Sequence, residues 1–372
     1  MQATPSTPDT QLSSLVETTY RAFQWGKNTF GFAHKAFSSR ALGLMEDFLL
    51  STSGQPARFR PEIKVTEQTL KIVRDRYEQL LTADWHDAEQ GYYPQELLFD
   101  NPWVDFALYY PQVLIDLAQS SQRVSQRQYQ SFQDSIDTKG YPRYYLQNFH
   151  YQTDGYLSDQ SANLYDLQVE LLFGGSADAM RRRVLRPLKE HLRQSQSGIL
   201  DRSTRILDLA CGTGRTLRML RGSLPEVSLY GTDLSPAYLR KANQLLSELP
   251  GELPQLLQAN SEELPYTDSL FEAVTCIFLF HELPAAARQN VINEAARVLK
   301  PGGVFIICDS VQTFDSPDLI ESMEAFVKTF HEPYYRDYIR DDLGIRLRAA
   351  GLELQSESTH YVSHYWVATK PA

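Results

Sequence analysis

Apolar residues in the first part of the chain recur at every third or fourth position, which is the spacing of one face of an α-helix. The most regular series is Leu12, Leu15, Val16, Tyr20 and Phe23. Thr66 is placed to cap a later helix, because its hydroxyl can accept a hydrogen bond from the first turn. Residues 51–63 contain Ser, Gly and Pro and are predicted to form a loop. Residues 1–140 are therefore predicted to be mainly helical.

From about residue 203 the pattern changes to short apolar runs separated by helical stretches. The runs predicted to be β-strands are 204–210, 227–233, 254–260, 271–280 and 304–310. Ser235 and Pro236 are predicted to open the helix after the second strand, as its cap and its first residue. Strands that alternate with helices form a mostly parallel sheet with helices on both faces, and ligands bind at the carboxyl ends of its strands.

Length and pattern together predict two domains, because a chain of 372 residues is too long for one compact core. Residues 1–175 are predicted to be a helical cap or substrate domain, and residues 176–372 a doubly wound α/β domain. The end of the first domain, residues 141–175, is dense in aromatic side chains and includes Ser158 as a predicted helix cap.

Composition and charge exclude several classes of protein. A net charge of −10 argues against a nucleic-acid binder held by its overall field. The three cysteines, Cys211, Cys276 and Cys308, form no CxxC pair and indicate a reducing compartment. The N-terminus has no apolar core of a secretory signal, and the most apolar run, 273–280, is too short to span a bilayer. A cytosolic protein is expected.

A glycine turn follows the first predicted strand in LDLACGTGRTLRML, residues 207–220. Gly212 and Gly214 allow a tight turn and a close approach of a ligand. Leu217 stands where a dinucleotide fingerprint requires a third glycine, and no GK[ST] of a P-loop follows. Asp208 would repel a diphosphate but suits an ammonium, and Asp233 at the next strand end can accept both hydroxyls of a ribose. The ligand expected from these residues is a ribonucleoside with a cationic arm, and S-adenosylmethionine has that chemistry.

Four motifs in order carry a resemblance to a known family. They are ILDLACGTGRT (206–216), LYGTDLSP (229–236), ANSEELPYTDSLFEAV (259–274) and RVLKPGGVF (297–305). On these motifs the chain, from about residue 200 to 372, resembles class I S-adenosylmethionine-dependent methyltransferases, with quinone and arsenite methyltransferases as the nearest branch. The resemblance implies a seven-stranded Rossmann-like sheet and S-adenosylmethionine as cofactor.

The resemblance also implies which residues bind the cofactor. They are Asp208, Ala210, Gly212, Thr213, Gly214, Asp233, Leu234, Asn260, Ser261 and Phe278. The first strand and its turn would line the methionine portion, Asp233 would take the ribose hydroxyls, and Leu234 would lie against the adenine. Asn260 stands where many members have an acid. Its amide oxygen can still accept from the adenine amino group, without charge assistance.

Methyl transfer from a sulfonium mainly requires that the acceptor atom be aligned with the methyl carbon, and a base is needed only for a proton of high pKa. Candidates follow the fourth and fifth predicted strands. His281 is the first candidate for a base and Glu282 the second, and His331 lies in a later insert. The alternatives are that His281 is structural and that Glu282 is an acid favoured by the helix dipole.

Further residues are expected on the substrate side. They are Tyr151, Tyr156, Asp309, Tyr334 and Tyr335. Methyltransferases of this class often cover the cofactor with the segment before the first strand, so the aromatic segment is interpreted as a lid that excludes water. The alternative is that these aromatic residues only join the two domains. For the insert helix that begins at Ser316–Pro317, the alternative is a packing helix.

Residues 177–194 read as a basic helix interrupted near Pro187. Its run of charges, Arg181 to Arg193, is interpreted as a solvated face, with an acidic partner or membrane surface as the alternative. No HExxH, CxxC or carboxylate cluster predicts a metal, and no oligomeric state is indicated.

These observations predict a methyltransferase that acts on an O, N or C atom of a small, partly aromatic or apolar substrate. One alternative is a protein methyltransferase that docks its partner on the helical domain. Another is a non-catalytic scaffold that binds S-adenosylmethionine.

Overall fold

The computed structural model describes residues 7–53, 66–126, 128–195 and 199–372. The α-helices are α1 (Thr7–Ser53), α2 (Glu67–Glu89), α3 (Trp103–Gln126), α4 (Asp159–Leu172), α5 (Ala177–Arg182), α6 (Leu185–Ser195), α7 (Arg215–Ser223), α8 (Pro236–Leu246), α9 (Ala285–Val298), α10 (Ile320–Thr329), α11 (Tyr335–Tyr338) and α12 (Leu343–Ala349). The strands are β1 (Arg205–Leu209), β2 (Ser228–Asp233), β3 (Gln255–Gln258), β4 (Phe271–Ile277), β5 (Leu299–Ser310), β6 (Glu353–His360) and β7 (Ser363–Thr369).

The predicted helix caps are found where the sequence places them. The side chain of Thr66 accepts a hydrogen bond from the N–H of Thr69, Ser158 caps α4, and Ser235 caps α8 with Pro236 in its first turn. The loop predicted over 51–63 is wrong at its start, because residues 51–53 continue α1, and residues 54–63 lie outside the described residues. Helix α1 therefore runs past the point where its composition becomes polar.

The sheet has seven strands in the order β3-β2-β1-β4-β5-β7-β6, which confirms the predicted α/β fold. Strands β1 to β5 are parallel, and β7 runs antiparallel to both of its neighbours. The strand order reverses between β1 and β4, so the carboxyl ends of these two strands flank the crevice where ligands bind in such sheets.

Helices from both halves of the chain cover one face of the sheet. Tyr20 of α1, Leu80 of α2 and Met180 of α5 belong to the same buried cluster as Ile206 of β1 and Val304 of β5. Each fully buried side chain of this size contributes about 1.5–3 kcal/mol of transfer free energy. The boundary proposed at 175/176 stays a prediction, and the apolar core runs across it.

The opposite face of the sheet carries a second core beneath α9, α11 and α12. Val291, Tyr338 and Leu347 pack there against Val274 of β4 and Trp366 of β7. Among the described residues, no helix has an apolar stretch long enough to cross a bilayer.

The basic segment differs from both interpretations drawn from the sequence. Its break lies at Arg183–Val184, and Pro187 sits inside the first turn of α6. Arg182 is only 1% exposed and forms a two-pronged ion pair with Asp84, at 2.6 and 2.9 Å.

The neighbouring arginines of this segment also form ion pairs with acidic residues of the same chain. Arg181 is buried against Asp178 at 2.9 Å, and Arg183 pairs with the buried Asp87. Arg181 and Arg182 therefore belong neither to a solvated face nor to a surface for an acidic partner. Periodicity shows that charges share a face, but only the packing of α2 shows that this face is buried.

Candidate active site

The carboxyl ends of β1 and β4 carry a matched pair of unusual backbone conformations. Ala210 follows β1 with φ of 50°, and Phe278 follows β4 with φ of 58°. Positive φ at a residue with a side chain costs free energy and is concentrated at functional sites. Both residues line a cavity of about 90 Å³ between the two strand ends.

Asp233 joins the tips of β1 and β2. One of its carboxylate oxygens accepts the N–H of Gly212 at 2.9 Å, and the other accepts the N–H of Ser235 at 2.8 Å. Burial raises the pKa of Asp233 to about 6, against the opposing effect of these two donors. Asp233 and Gly212 both line the cavity, so a carboxylate with remaining acceptor capacity is held at its wall.

Asp208 lies at the end of β1 but does not line the cavity. Its carboxyl accepts a hydrogen bond from the Thr275 hydroxyl at 2.7 Å and is 2% exposed. Burial raises its pKa to about 7, which the Thr275 hydroxyl and the charge of Arg181 lower only in part. The end of β1 therefore holds a carboxyl whose negative charge is poorly compensated. A cationic ligand nearby would compensate this charge.

Two other residues of the turn serve packing rather than the cavity wall. The hydroxyl of Thr213 donates to Asp166 of α4 at 2.7 Å. Gly214 has φ of +82°, and a Cβ there would lie 3.1 Å from the Cβ of Ala242 in α8. Gly214 is thus required by the close approach of two helices.

Most of the predicted cofactor residues do meet at the cavity. Those that line it are Ala210, Gly212, Asp233, Leu234, Asn260, Ser261 and Phe278. The amide oxygen of Asn260 accepts the N–H of Glu262 at 3.0 Å, so this side chain also shapes its own loop. The lining contains Asp233 and Glu282 but no Lys or Arg among the described residues, which suits a ligand without a diphosphate.

Aromatic side chains close the other side of the cavity. They are Tyr144, Tyr145, Phe149, Tyr156, Tyr165 and Tyr238. Tyr156 stacks on Phe149 with ring centroids 5.5 Å apart. Tyr238 of α8 was missed from the sequence, because its helical position gives no sign that it faces a ligand.

The segment that carries four of these rings, Tyr144, Tyr145, Phe149 and Tyr156, is anchored at several points. The hydroxyl of Ser235 donates to the backbone oxygen of Tyr156 at 2.6 Å, and Tyr144 donates to Glu262 at 2.6 Å. Gly155 has φ of +54°, and a Cβ there would lie 2.3 Å from the oxygen of Gln147. Residues 141–158, called the aromatic segment below, are thus held against the carboxyl end of the sheet.

His281 follows β4 and is oriented by Asp309 at the end of β5. Its Nδ1 lies 2.6 Å from Asp309, which also accepts the N–H groups of Phe280 and Ser310 at 2.7 Å. Burial alone would lower the pKa of His281, but the Asp309 carboxylate raises it to about 9. The ring therefore carries a proton at neutral pH, which disfavours its predicted use as a base.

Glu282 connects His281 to the aromatic segment. It lines the cavity and accepts a hydrogen bond from the hydroxyl of Tyr156. Burial and the nearby Glu332 raise the pKa of Glu282 to about 7, while His281, 4.0 Å away, lowers it.

The insert after β5 brings Glu332, rather than the predicted His331, into this cluster. Glu332 is 2% exposed, and its Oε1 lies 2.7 Å from Nε2 of His150. His331 instead donates from Nε2 to Gln147 at 2.6 Å and stacks on Tyr129 at 4.6 Å. The two residues are neighbours in an irregular segment, where no periodicity indicates which side chain turns inward.

Four of the five residues predicted on the substrate side do not line the cavity. Tyr335 is buried and shares a hydrogen bond with Ser310 at 2.7 Å, while Tyr334 accepts from Gln147 at 3.2 Å. Tyr151 packs against His331, with ring centroids 5.6 Å apart. Asp309 contacts the His281 ring. Of the predicted substrate residues, Tyr156 lines the cavity directly.

Comparisons with known proteins agree with this geometry. Residues 206–303 match the sequence model of a family described as a methyltransferase domain. The chain is 31% identical over 170 residues to 27-O-demethylrifamycin SV methyltransferase of Amycolatopsis mediterranei, covering 45% of this chain and 59% of that protein. It is 36% identical over 105 residues to demethylmenaquinone methyltransferase of Thermus thermophilus, covering 28% of this chain and 46% of that protein.

The chain thus spans about half the length of the curated relatives it matches. A solved structure of magnesium protoporphyrin IX methyltransferase from Synechocystis with bound SAH is 14% identical, with a TM-score of 0.41. The match covers 53% of this chain and 86% of that one, and a likeness this weak carries no argument about function. The family match runs from β1 into the first half of β5, and residues 206–303 belong to the family described as a methyltransferase domain.

Proposed function

We propose that this chain transfers a methyl group from S-adenosylmethionine to an O, N or C atom of a small organic molecule with an aromatic or apolar body. The observation that carries the proposal is a shared cavity. Cofactor-motif residues such as Gly212 and Asp233 line the same cavity as Tyr156 and Glu282. A donor bound at the strand ends would meet an acceptor held by the aromatic segment.

The cofactor side fits the groups that S-adenosylmethionine presents. Asp233 has acceptor capacity left for ribose hydroxyls after binding two backbone N–H groups. The poorly compensated carboxyl of Asp208 favours positive charge near the end of β1. When bound, the cofactor supplies a methyl group on a sulfonium that is already activated.

On the acceptor side, the residues of the chain position the acceptor molecule and surround it. The tyrosines present apolar faces with polar edges, which suits a flat, partly polar molecule. The aromatic segment excludes water, since Ser235 and Glu262 hold it against the strand ends. Alignment of this kind can account for several kcal/mol of barrier reduction, up to about 7–11 in the best cases.

A cavity with the strand ends on one side and the aromatic segment on the other favours a small molecule over the side chain of a folded protein, which would need an open groove. The intact strand-end residues Gly212 and Asp233 argue against a scaffold without activity. The cysteines Cys211, Cys276 and Cys308 are free and buried, in keeping with the cytosolic location that we propose.

The test is incubation of the purified chain with methyl-labelled S-adenosylmethionine and a cell extract separated by size. We expect label in the small-molecule fraction, and loss of that label in Asp233→Ala. Label on protein would support the protein methyltransferase instead. Binding of the cofactor without transfer to any fraction would support the scaffold.

His281 and Asp309 are proposed to position the segment after β4, whose Glu282 lines the cavity. We expect His281→Ala to lower turnover more than cofactor affinity, measured by calorimetry on the same preparation. Equal turnover in the variant would mean that His281 only supports the fold.

A further inference from the structure

Three segments that are far apart in the sequence bring metal-ligating side chains together beside the cavity. His150 comes from the aromatic segment, Glu282 follows β4, and Glu332 follows α10. One ligand atom from each residue can be chosen so that all three lie within 4.8 Å of one another. Spacing motifs do not predict such a site, because no two of its ligands share an element.

The separations fit a single ion. Nitrogen and oxygen ligands lie about 2.0–2.2 Å from a divalent transition metal, so two ligands of one ion are about 2.8–4.4 Å apart. The distance from His150 Nε2 to Glu332 Oε1, 2.7 Å, is close to the lower end of that range. The limit of 4.8 Å that holds for all three ligand atoms is close to the upper end of that range.

The buried charge also points to a cation. Oε2 of Glu332 is buried, and among the described residues it has no hydrogen-bond partner. A buried charged oxygen without a partner is costly, by about 1–3 kcal/mol or more. Glu282 adds a second carboxylate to the same space.

Two other polar groups near the cluster already have hydrogen-bond partners. His281 is paired with Asp309, and the hydroxyl of Tyr156 donates to Glu282. Among the described residues, His150 is the one basic side chain within ion-pair distance of Glu332. A neutral imidazole and two carboxylates would together balance the charge of a dication.

We propose that His150, Glu282 and Glu332 bind one divalent transition-metal ion at the acceptor end of the cavity. An imidazole with two carboxylates suits Mn²⁺ or Zn²⁺ better than Ca²⁺, which prefers a shell of oxygens. Because Glu282 also lines the cavity, the ion lies where an oxygen of the acceptor can reach it. The role in holding the acceptor rests on the proposed methyl transfer, whereas ion binding does not.

The experiment is titration of the full chain, freed of metal by EDTA and dialysis, with Mn²⁺ followed by electron paramagnetic resonance. We expect one ion per chain and affinity at least about tenfold lower in Glu332→Gln, a loss of about 1.4 kcal/mol. Glu282→Gln is the second variant, in case the first does not fold by circular dichroism. The matched control is Glu321→Gln, which changes an exposed carboxylate of α10 and should bind like the wild type.

Absence of stoichiometric binding to the wild type at millimolar Mn²⁺ would overturn the proposal. Unchanged affinity in both folded cluster variants would also overturn it, because the ion would then lie elsewhere. Binding is measured without cofactor or acceptor, so it succeeds or fails independently of methyl transfer. Where transfer is observed, full activity in EDTA would contradict the role in holding the acceptor.

Discussion

The backbone N–H of Gly212 lies 2.9 Å from the carboxylate of Asp233, so the tips of β1 and β2 are joined through the acid at the cavity wall. The sequence alone suggests two separate contacts to a cofactor, one from the glycine turn and one from the acid. Here they form one unit, and a change to the acid affects the turn as well.

Replacement of Asp233 by Ala is expected to weaken S-adenosylmethionine binding by at least about tenfold. The variant loses acceptors for the ribose hydroxyls, and hydrogen bonds to a charged group contribute about 1.5–3 kcal/mol each. Calorimetry with S-adenosylmethionine measures the change. Glu226→Gln, on the exposed loop before β2, is the control and should bind normally. Wild-type affinity in Asp233→Ala would contradict the ribose assignment.

Asp208→Asn is expected to stabilise the cofactor-free chain more at pH 8 than at pH 5. Burial raises the pKa of Asp208 from 3.8 to about 7, so the folded state binds its proton more tightly than the unfolded state. Stability from this group is therefore present at low pH and is lost as the pH rises from about 4 through 7.

At pH 5 the folded acid is still neutral but the unfolded acid is already ionised, so the variant should be more stable by only about 1.5 kcal/mol. At pH 8 the wild type contains a buried charge, and the variant should be more stable by an amount of the order of 2–4 kcal/mol. Thermal melts at both pH values measure the difference. A wild type as stable as the variant at pH 8 would show that the charge is compensated.

Gly214→Ala is expected to destabilise the fold more than Gly302→Ala. Both glycines have positive φ, +82° and +75°, so both variants carry backbone strain. Only at Gly214 would the new Cβ meet another side chain, 3.1 Å from that of Ala242, whereas nothing lies within 4 Å at Gly302. We expect an excess loss of about 1–3 kcal/mol in urea unfolding. Equal losses would mean that α7 and α8 move apart at little cost.

Ser235→Ala is expected to loosen the aromatic segment, beyond the loss of a helix cap. The Ser235 hydroxyl accepts from the N–H of Tyr238 and donates to the oxygen of Tyr156. Thr66→Ala is the control, since it removes a cap from α2 without a bond to the aromatic segment. Each cap contributes about 0.5–2 kcal/mol.

Hydrogen exchange at the amides of Gln152 and Leu157, both bonded within the segment, reports the difference. Exchange at these two amides should be faster than in the wild type in Ser235→Ala, but not in Thr66→Ala. The same exchange rates in both variants would show that Ser235 does not hold the segment.

Features that depend on short stretches of sequence were predicted well. The caps Thr66, Ser158 and Ser235 form because a hydroxyl and the next turn are enough to define them. The parallel strands follow from apolar runs between helices, and their end residues Gly212 and Asp233 reach the cavity. These signals lie within a few residues of the structure they produce.

Features that depend on distant segments were not predictable in the same way. Whether Arg182 is solvated depends on Asp84, which lies on another helix nearly a hundred positions earlier. Glu332 turns inward to His150, whereas His331 beside it turns to Gln147. No local pattern distinguishes the two, because their partners come from the aromatic segment.

The shared interior of the two halves limits how this chain can be altered. Tyr20 and Leu80 complete the same core as Ile206 and Val304, so the N-terminal helices are not a detachable module. Exchanging them for those of another protein would expose part of this core and favour aggregation. A change in the methyl acceptor is better sought through single substitutions of the tyrosines that line the cavity, which leave the shared core intact.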